Sequence, residues 1–363
     1  MAYFRNYFLL ISFVFVVAIS SIEAATTKAA GAPQSSENCS VATSDRNVST
    51  KSTVATKKIS KRRSKRTYTN ARPRTSRTGT CRTTSRSSSK NYRPLYARNL
   101  DELKGPLPEI ISSEICRLRE NRNLLNTDDI SIHIHDLSKN ETVVNIKADQ
   151  MRNAASLIKP FVMLTVYDLA QQNKICLTKS IENQIYKMIT ISHNASTNSL
   201  IRQIGKGSTY KGLKQINATI KKYGFRDTYL VEAIPEGGRT YRNRTSAYDM
   251  SEFFRKVYSR TLVSPECSQK MIDILLNNKV HRIETATLVQ DGVPVADKTG
   301  YVRGTNGDCG IVFLRNIKHS ASDYVVSIII ENPSRPHEGW GKKKSAVIRH
   351  LSNVIYTYFR RQV

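Results

Sequence analysis

The sequence is poor in acidic residues and in long apolar stretches. Its 363 residues include 29 Asp and Glu against 57 Lys and Arg, a formal net charge of +28. Beyond one apolar run near the N-terminus, no stretch reaches the ~20 residues that a membrane-spanning helix needs. This absence excludes a protein with several membrane spans.

Metal-binding patterns are also missing. The six cysteines include no Cys-x-x-Cys pair, which argues against a zinc or thioredoxin-like site. His133 and His135 alternate along a predicted strand, but such alternation is also common in strands that bind no metal. We therefore expect no metal site and no cofactor.

The N-terminus has the pattern of a secretory signal peptide, which we assign to residues 1–25. Arg5 precedes an apolar run over residues 7–19, and Ala24 ends a suitable cleavage site. We expect export to the periplasm or the extracellular space. The alternative is an N-terminal segment that is retained as a membrane anchor.

A basic segment follows the signal sequence. From Lys51 to Arg98 there are sixteen Lys or Arg and no Asp or Glu. Chains of this composition bury too little apolar surface to offset the entropy of ordering, so we interpret residues 26–98 as a disordered linker. It is either a solvated tether or a segment that adheres to an anionic cell-envelope polymer. Export argues against nucleic acid, the usual partner of such runs in cytosolic proteins.

Residues 99–363 predict one α+β domain. Apolar residues recur at helical intervals over residues 107–125, and a β-hairpin is predicted over residues 130–149. Val- and Ile-rich segments predict three more strands at residues 293–300, 308–315 and 324–332. Joining these five strands gives an antiparallel sheet flanked by helices, with an all-helical subdomain inserted between the hairpin and the last strands.

Local signals also place several helix starts. The stretch from Ser156 to Gln172 is densely apolar and predicts a helix with Pro160 in its first turn, where a missing N–H is tolerated. Ser246 stands three residues before Asp249, and Ser264 precedes a proline. Both patterns are typical of helix N-termini.

Ser156 and Lys159 carry the first chemical signal. In a helix, residues three apart lie on one face, and a serine becomes a nucleophile when a base is within hydrogen-bond reach. An apolar environment lowers the pKa of a lysine and lets it act as that base. The same spacing occurs at Ser87–Lys90 and Ser208–Lys211, but without comparable apolar surroundings.

Two further motifs follow in the chain. Ser192, His193 and Asn194 lie in an apolar helical context, and Lys298-Thr299-Gly300 ends a predicted strand. Ser-x-x-Lys, Ser-Asp-Asn and Lys-Thr-Gly together are the signature of class A β-lactamases and penicillin-binding proteins. Residues 100–363 therefore resemble the serine β-lactamase and penicillin-binding protein superfamily, also in stretches such as "EAIP" at residues 232–235.

The resemblance implies the catalytic roles. Ser156 would be the nucleophile that is acylated, and Lys159 its base or part of the proton network. Ser192 would pass a proton to the leaving nitrogen. The backbone N–H groups of Ser156 and Tyr301 would form the oxyanion hole.

The resemblance also implies the residues that bind substrate. Asn194 would hold the substrate amide, and Thr299 its carboxylate. Lys298, expected to line the cleft, would supply positive charge. Gly300 would let the substrate backbone approach the strand, and Tyr301 would contribute its amide.

The sequence departs from the family pattern at two places. His193 replaces the usual Asp, which we interpret as a structural variant. Class A β-lactamases also use a glutamate on a loop before "EAIP" to activate the hydrolytic water, and matching both flanks shortens that loop and removes this glutamate. Among the nearby carboxylates Asp227, Glu232 and Glu236, our candidate substitute is Glu232, with loop stabilisation as its alternative role.

The sequence thus predicts an exported serine acyl hydrolase that opens β-lactam rings through an acyl-Ser156 intermediate. One alternative is a D-Ala-D-Ala peptidase acting on cell-wall peptides, which the missing glutamate favours. Another is a non-catalytic wall-binding relative. We expect a monomer.

Overall fold

In the computed structural model, residues 100–317, 321–334, 336 and 339–362 are described. The predicted signal peptide at residues 1–25 and the predicted linker at residues 26–98 lie outside these residues. In the part that is described, no helix is both long and apolar enough to cross a membrane.

Helices and strands follow the predicted order. The α-helices are α1 (Leu107–Glu120), α2 (Lys159–Gln171), α3 (Lys179–Thr190), α4 (Asn194–Ile204), α5 (Thr209–Lys222), α6 (Ala247–Tyr258), α7 (Pro265–Leu276), α8 (Ala286–Gln290) and α9 (Trp340–Arg361). The strands are β1 (Asp129–Asp136), β2 (Glu141–Ile146), β3 (Arg152–Asn153), β4 (Arg244–Thr245), β5 (Val295–Val302), β6 (Thr305–Val312) and β7 (Tyr324–Glu331).

The predicted five-stranded antiparallel sheet is confirmed. Its strand order is β2-β1-β7-β6-β5, so the first hairpin joins the last three strands through β1 and β7. The strand that carries Lys298 and Thr299, β5, therefore lies at an edge of the sheet, where a ligand can pair with its free side.

The sheet separates two apolar cores. Along β7, Ile328 and Ile330 pack with α1 and α9, whereas Ile329 between them packs on the other face with α2 and α6. This alternation follows from the two-residue period of a strand. The sheet is thus covered on both faces, and its second face packs against the helical subdomain.

The helix starts at Ser246 and Ser264 are confirmed. The side chain of Ser246 accepts a hydrogen bond from the N–H of Asp249, and Ser264 accepts one from Cys267. Ser208 caps α5 in the same way through the N–H of Lys211. The Ser-x-x-Lys pattern at Ser208 is therefore a helix cap, which explains its spacing.

The helix expected to begin at Ser156 begins later. Residues Ala155–Ile158 form a 3-10 helix, and the α-helix α2 starts at Lys159. The reason is Pro160, which has no N–H to bond the carbonyl of Ser156 four residues earlier. That carbonyl instead accepts the N–H of Lys159, which is the tighter 3-10 bond.

Candidate active site

Ser156 lies on the short 3-10 helix that connects β3 to α2. Backbone bonds hold the segment before it, since Ala154 donates to the carbonyl of Asn243 and Ala155 donates to the side chain of Asn153. Ala155 has a φ of +44°, a conformation rare for a residue with a Cβ. Ser156 is half-buried, and among the described residues its hydroxyl takes part in no hydrogen bond.

Gly300 allows this helix to approach β5. A Cβ on Gly300 would lie 2.6 Å from Cγ of Leu157 and 3.0 Å from the carbonyl oxygen of Ala154. The sequence assigned this glycine to the approach of substrate. In the structure Gly300 has a packing role, because its missing side chain lets the edge strand pack against the residues that flank Ser156.

Lys159 is completely buried and joins the second motif. Its Nζ lies 2.9 Å from the hydroxyl of Ser192, 2.5 Å from the carbonyl oxygen of Ser192 and 2.9 Å from Oδ1 of Asn194. Burial, assisted by the nearby charge of Lys298, lowers the pKa of Lys159 to about 6. The amine is therefore largely neutral at pH 7.

The contacts of the neutral amine orient its lone pair. A neutral amine carries two N–H groups, and the carbonyl of Ser192 and Oδ1 of Asn194 can only accept. Both protons of Lys159 are thus directed to these two oxygens. The lone pair is thus left for the hydroxyl of Ser192, 2.9 Å away, and among the described residues no hydrogen bond joins the amine of Lys159 to the hydroxyl of Ser156.

Lys298 approaches the same hydroxyl from the sheet. Its Nζ lies 3.3 Å from Oγ of Ser192 and 2.8 Å from the carbonyl oxygen of Thr299. Burial lowers the pKa of Lys298 to about 8, although the charges of Asp297 and Asp308 oppose this shift. Lys298 was expected to line the cleft, and this was wrong, because its side chain is completely buried beneath it.

Ser192 thus stands between two lysines in a strained conformation. Its φ is +55°, which lies in the left-handed region that few non-glycine residues adopt. The strain is compatible with its contacts, since the turn brings both its carbonyl and its hydroxyl to Lys159.

His193 has a structural role, as interpreted from the sequence. It is the N-cap of α4, and its Nδ1 accepts the N–H of Ser196 at 3.3 Å. An Asp at this position would provide the same kind of acceptor. Asn194 then starts the helix with its amide toward Lys159.

Glu232 stabilises a loop. Its Oε1 accepts hydrogen bonds from the hydroxyl of Thr240 and from the N–H groups of Tyr241 and Arg242 at 2.9–3.1 Å. Among the described residues, none of its hydrogen bonds reaches Ser156 or Lys159. These contacts correspond to the loop-stabilising alternative, and the catalytic assignment of Glu232 stays a prediction without a supporting contact.

Two asparagines that the sequence analysis missed complete this loop. Asn243 accepts the N–H groups of Val231 and Glu232, and Asn198 exchanges two hydrogen bonds with the backbone of Ile234. Asn198 lies one turn after Asn194 on α4, so the loop is attached beside the site. In the sequence, the only signal for these two asparagines was their distance from the "SHN" and "EAIP" stretches.

A cluster of buried polar residues surrounds Asp297 on β5 and Asp308 on β6. Asp297 accepts hydrogen bonds from Asn278 and from Nδ1 of His281, and Asp308 on the neighbouring strand accepts two backbone N–H groups. Burial and the neighbouring Asp297 raise the pKa of Asp308 well above its usual range. The signal in the sequence was an acidic residue next to Lys298 in an apolar strand.

Two further residues of β5 that the resemblance assigned to the site differ in exposure. Thr299 is buried, whereas Tyr301 is exposed, and the ring of Tyr301 lies against the backbone of α9 at Gly341. Among the described residues, no cluster of His, Cys, Asp and Glu could hold a metal ion.

The α+β fold and this Ser-Lys arrangement are those of the serine β-lactamase and penicillin-binding protein superfamily. The model of the "Beta-lactamase enzyme family" matches residues 118–184 and 178–359. The chain belongs to this family.

Solved structures share the fold. A point mutant of PBP-A is 21% identical, with a TM-score of 0.56, and the match covers 70% of this chain and 96% of that chain. A β-lactamase from Sphaerobacter thermophilus DSM 20745 is 21% identical, with a TM-score of 0.53, over 64% and 92% of the two chains. An ancestral class A β-lactamase is 19% identical, with a TM-score of 0.56, over 70% and 100%.

Proposed function

We propose that this protein is a penicillin-binding serine hydrolase whose Ser156 is acylated by β-lactams and by related acyl peptides and is deacylated slowly. The observation that carries the proposal is the buried Lys159, whose neutral amine bridges Ser192 and Asn194 one turn after Ser156. One structural neighbour, the point mutant of PBP-A, is an acyl-enzyme complex with penicillin G. We propose a complex of the same kind here.

Acylation would proceed through three proton transfers. The oxygen of Ser156 attacks the carbonyl carbon while its proton passes to the neutral amine of Lys159. The carbonyl carbon–nitrogen bond then breaks, and the leaving nitrogen takes the hydroxyl proton of Ser192. Ser192 recovers a proton from Lys159, 2.9 Å away, so the serine proton ends on the leaving nitrogen.

The charges around the site support this sequence. Lys298 lies near the hydroxyl of Ser192 and favours the transfer of its proton, because positive charge stabilises a developing alkoxide. The N–H groups of Ser156 and Tyr301 are our candidates for the oxyanion hole. Thr299 would hold the substrate carboxylate.

Deacylation is the step that the site supports poorly. Hydrolysis of the ester needs a base that activates water, and Glu232, our candidate from the sequence, is occupied by Thr240, Tyr241 and Arg242. A long-lived acyl-enzyme is therefore expected, as in a peptidase that β-lactams inhibit. Rapid β-lactam hydrolysis is the competing outcome.

The test is to incubate the full chain with a chromogenic cephalosporin and to record absorbance and intact mass over time. We expect one covalent adduct that persists for minutes or longer. Ser156→Ala should lose the adduct, whereas Ser208→Ala, which removes a helix cap in the other Ser-x-x-Lys pattern, should keep it. Fast turnover without accumulation would indicate a β-lactamase, and no adduct at any concentration would indicate a non-catalytic relative.

We further propose that the protein is exported. The support is the pattern of residues 1–25 in the sequence, with Arg5 before an apolar run. Attachment to an anionic cell-envelope polymer through residues 26–98 is proposed on the same basis. Cell fractionation with an antibody against the folded domain tests both proposals.

A further inference from the structure

A basic cavity lies beside the proposed reaction centre. It has a volume of about 610 Å³ and is bounded by residues 237–239 of the loop after "EAIP", by Tyr241 and by residues 301–303 at the end of β5. Two of its lining residues are the arginines Arg239 and Arg303, and both are exposed to solvent. None of the described residues that line it is acidic.

The cavity is adjacent to the site through Asn194. A Cβ on Gly238 would lie 3.0 Å from Nδ2 of Asn194. Gly237 and Gly238 have φ values of +75° and +72°, a conformation that favours glycine. The wall of the cavity nearest to Asn194 is therefore bare backbone, which leaves room for a ligand.

The direction of β5 indicates which part of a substrate reaches this cavity. In the proposed function, Thr299 holds the carboxylate on the leaving side and the N–H of Tyr301 receives the carbonyl oxygen. The acyl side chain leaves the carbonyl on the opposite side. A substrate lying along the edge strand thus extends its acyl side chain past Tyr301 toward Arg303.

Arg303 is held in place at this end. Its Nε donates a hydrogen bond to the carbonyl of Pro336 at 3.0 Å. A guanidinium is charged at all ordinary pH values, and its planar donors match a carboxylate. Arg239, in the loop after "EAIP", adds a second positive charge to the lining of the cavity.

We infer that this cavity selects acyl donors whose acyl side chain carries a carboxylate, through Arg239 and Arg303. The inference rests on the proposed function and names its substrate class. The carboxylate is distinct from the one that Thr299 would bind, which lies on the leaving side.

Benzylpenicillin and its α-carboxy derivative form a matched pair for the test, since they differ by one carboxylate on the acyl side chain. We expect the full chain to be acylated by the carboxylated penicillin at least ~10-fold more efficiently, the size of one charge-assisted hydrogen bond. In Arg239→Gln and Arg303→Gln this ratio should fall several-fold, and in the double variant it should approach one.

Arg242→Gln is the matched control. Arg242 lies in the same loop but outside the described lining of the cavity, and its substitution removes the same charge, so the ratio should match that of the unmodified chain. A ratio near one in the unmodified chain, or an equal loss in Arg242→Gln, would overturn the inference while the adducts themselves still supported the proposed function. Absence of any adduct with either penicillin would overturn both.

Discussion

Lys159 and Lys298 show how burial adjusts single residues for chemistry. Both ammonium groups are removed from water, and both have lowered pKa values, about 6 and about 8. The difference follows from their neighbours. Lys298 has the buried carboxyl groups Asp297 and Asp308 close by, whereas Lys159 has polar oxygens and the charge of Lys298.

The acylation rate should therefore have a bell-shaped pH dependence. Below pH ~6 Lys159 becomes protonated and cannot accept the serine proton, so the rate falls with decreasing pH. Above pH ~8 Lys298 loses its charge and the rate falls again. Because the two lysines interact, the two apparent values belong to the pair.

Stopped-flow acylation between pH 5 and 10 measures this profile. Lys298→Arg keeps the charge at high pH, so its alkaline limb should disappear while its acidic limb stays. Lys159→Arg should lose roughly 10²–10⁴-fold in rate at every pH, the usual contribution of a general base. An acidic limb that is unchanged in Lys159→Arg would assign the base to another residue.

At the scale of secondary-structure elements, the contact between the 3-10 helix and β5 determines the geometry of the site. The nucleophile and the expected oxyanion donor at Tyr301 lie on these two elements, so their separation sets the geometry of the reaction. At Gly300 the two elements leave no room for a Cβ, which would lie 2.6 Å from Leu157 and 3.0 Å from Ala154.

Gly300→Ala should push the two elements apart. Its Cβ would overlap Leu157, and overpacking of this kind destabilises a protein by about 1–3 kcal/mol. We expect the acylation rate of the folded variant to fall by at least tenfold, because small displacements at a reaction centre are costly. Thermal unfolding and acylation kinetics on the same samples separate the two effects.

Gly307→Ala is the graded control. A Cβ there would lie 3.1 Å from a terminal methyl group of Leu157 and 3.2 Å from the carbonyl oxygen of Ile328, both looser contacts than the 2.6 Å at Gly300. Its loss in rate should be clearly smaller than that of Gly300→Ala. Equal losses in the two variants would show that the approach at Gly300 is not specifically required.

At the scale of the whole domain, side-chain hydrogen bonds connect α1 to α9, which are far apart in the sequence. Glu114 on α1 is buried and accepts hydrogen bonds from Arg117 and from His350 on α9. Burial by itself would raise the pKa of Glu114, but the hydrogen bonds from His350 and Arg117 lower it to about 2. The ionised carboxylate thus stabilises the packing of both helices on the sheet.

The lowered pKa of Glu114 predicts that the stability of the fold depends on pH. Because the folded pKa lies below the unfolded value of 4.5, the contribution is present above pH 4.5 and is lost as the pH falls toward 2. Urea unfolding should show that Glu114→Gln is less stable by about 1–3 kcal/mol at pH 6 and that the difference shrinks below pH 4. Glu120→Gln, an exposed change on the same helix, should show no such trend.

Much of the fold and part of the site followed from local patterns. The alternation of Val and Ile predicted the strands, the serines before helices predicted the caps, and three short motifs predicted which residues would meet. Local patterns describe these features well because each depends on neighbours within a few positions. The late start of α2 at Lys159 also has a local cause in Pro160.

Other features depended on distant parts of the chain coming together. The burial of Lys298, the packing of Gly300 against Leu157, the task of Glu232 and the basic cavity at Arg239 and Arg303 each depend on the surroundings that the folded chain assembles. No pattern within one segment reports the solvent exposure or the partner of a side chain, since burial and pKa are properties of those surroundings. The sequence alone identified the reacting groups through its three motifs. The tertiary structure decided their charge states, because it determines how deeply each group is buried and which charges lie near it.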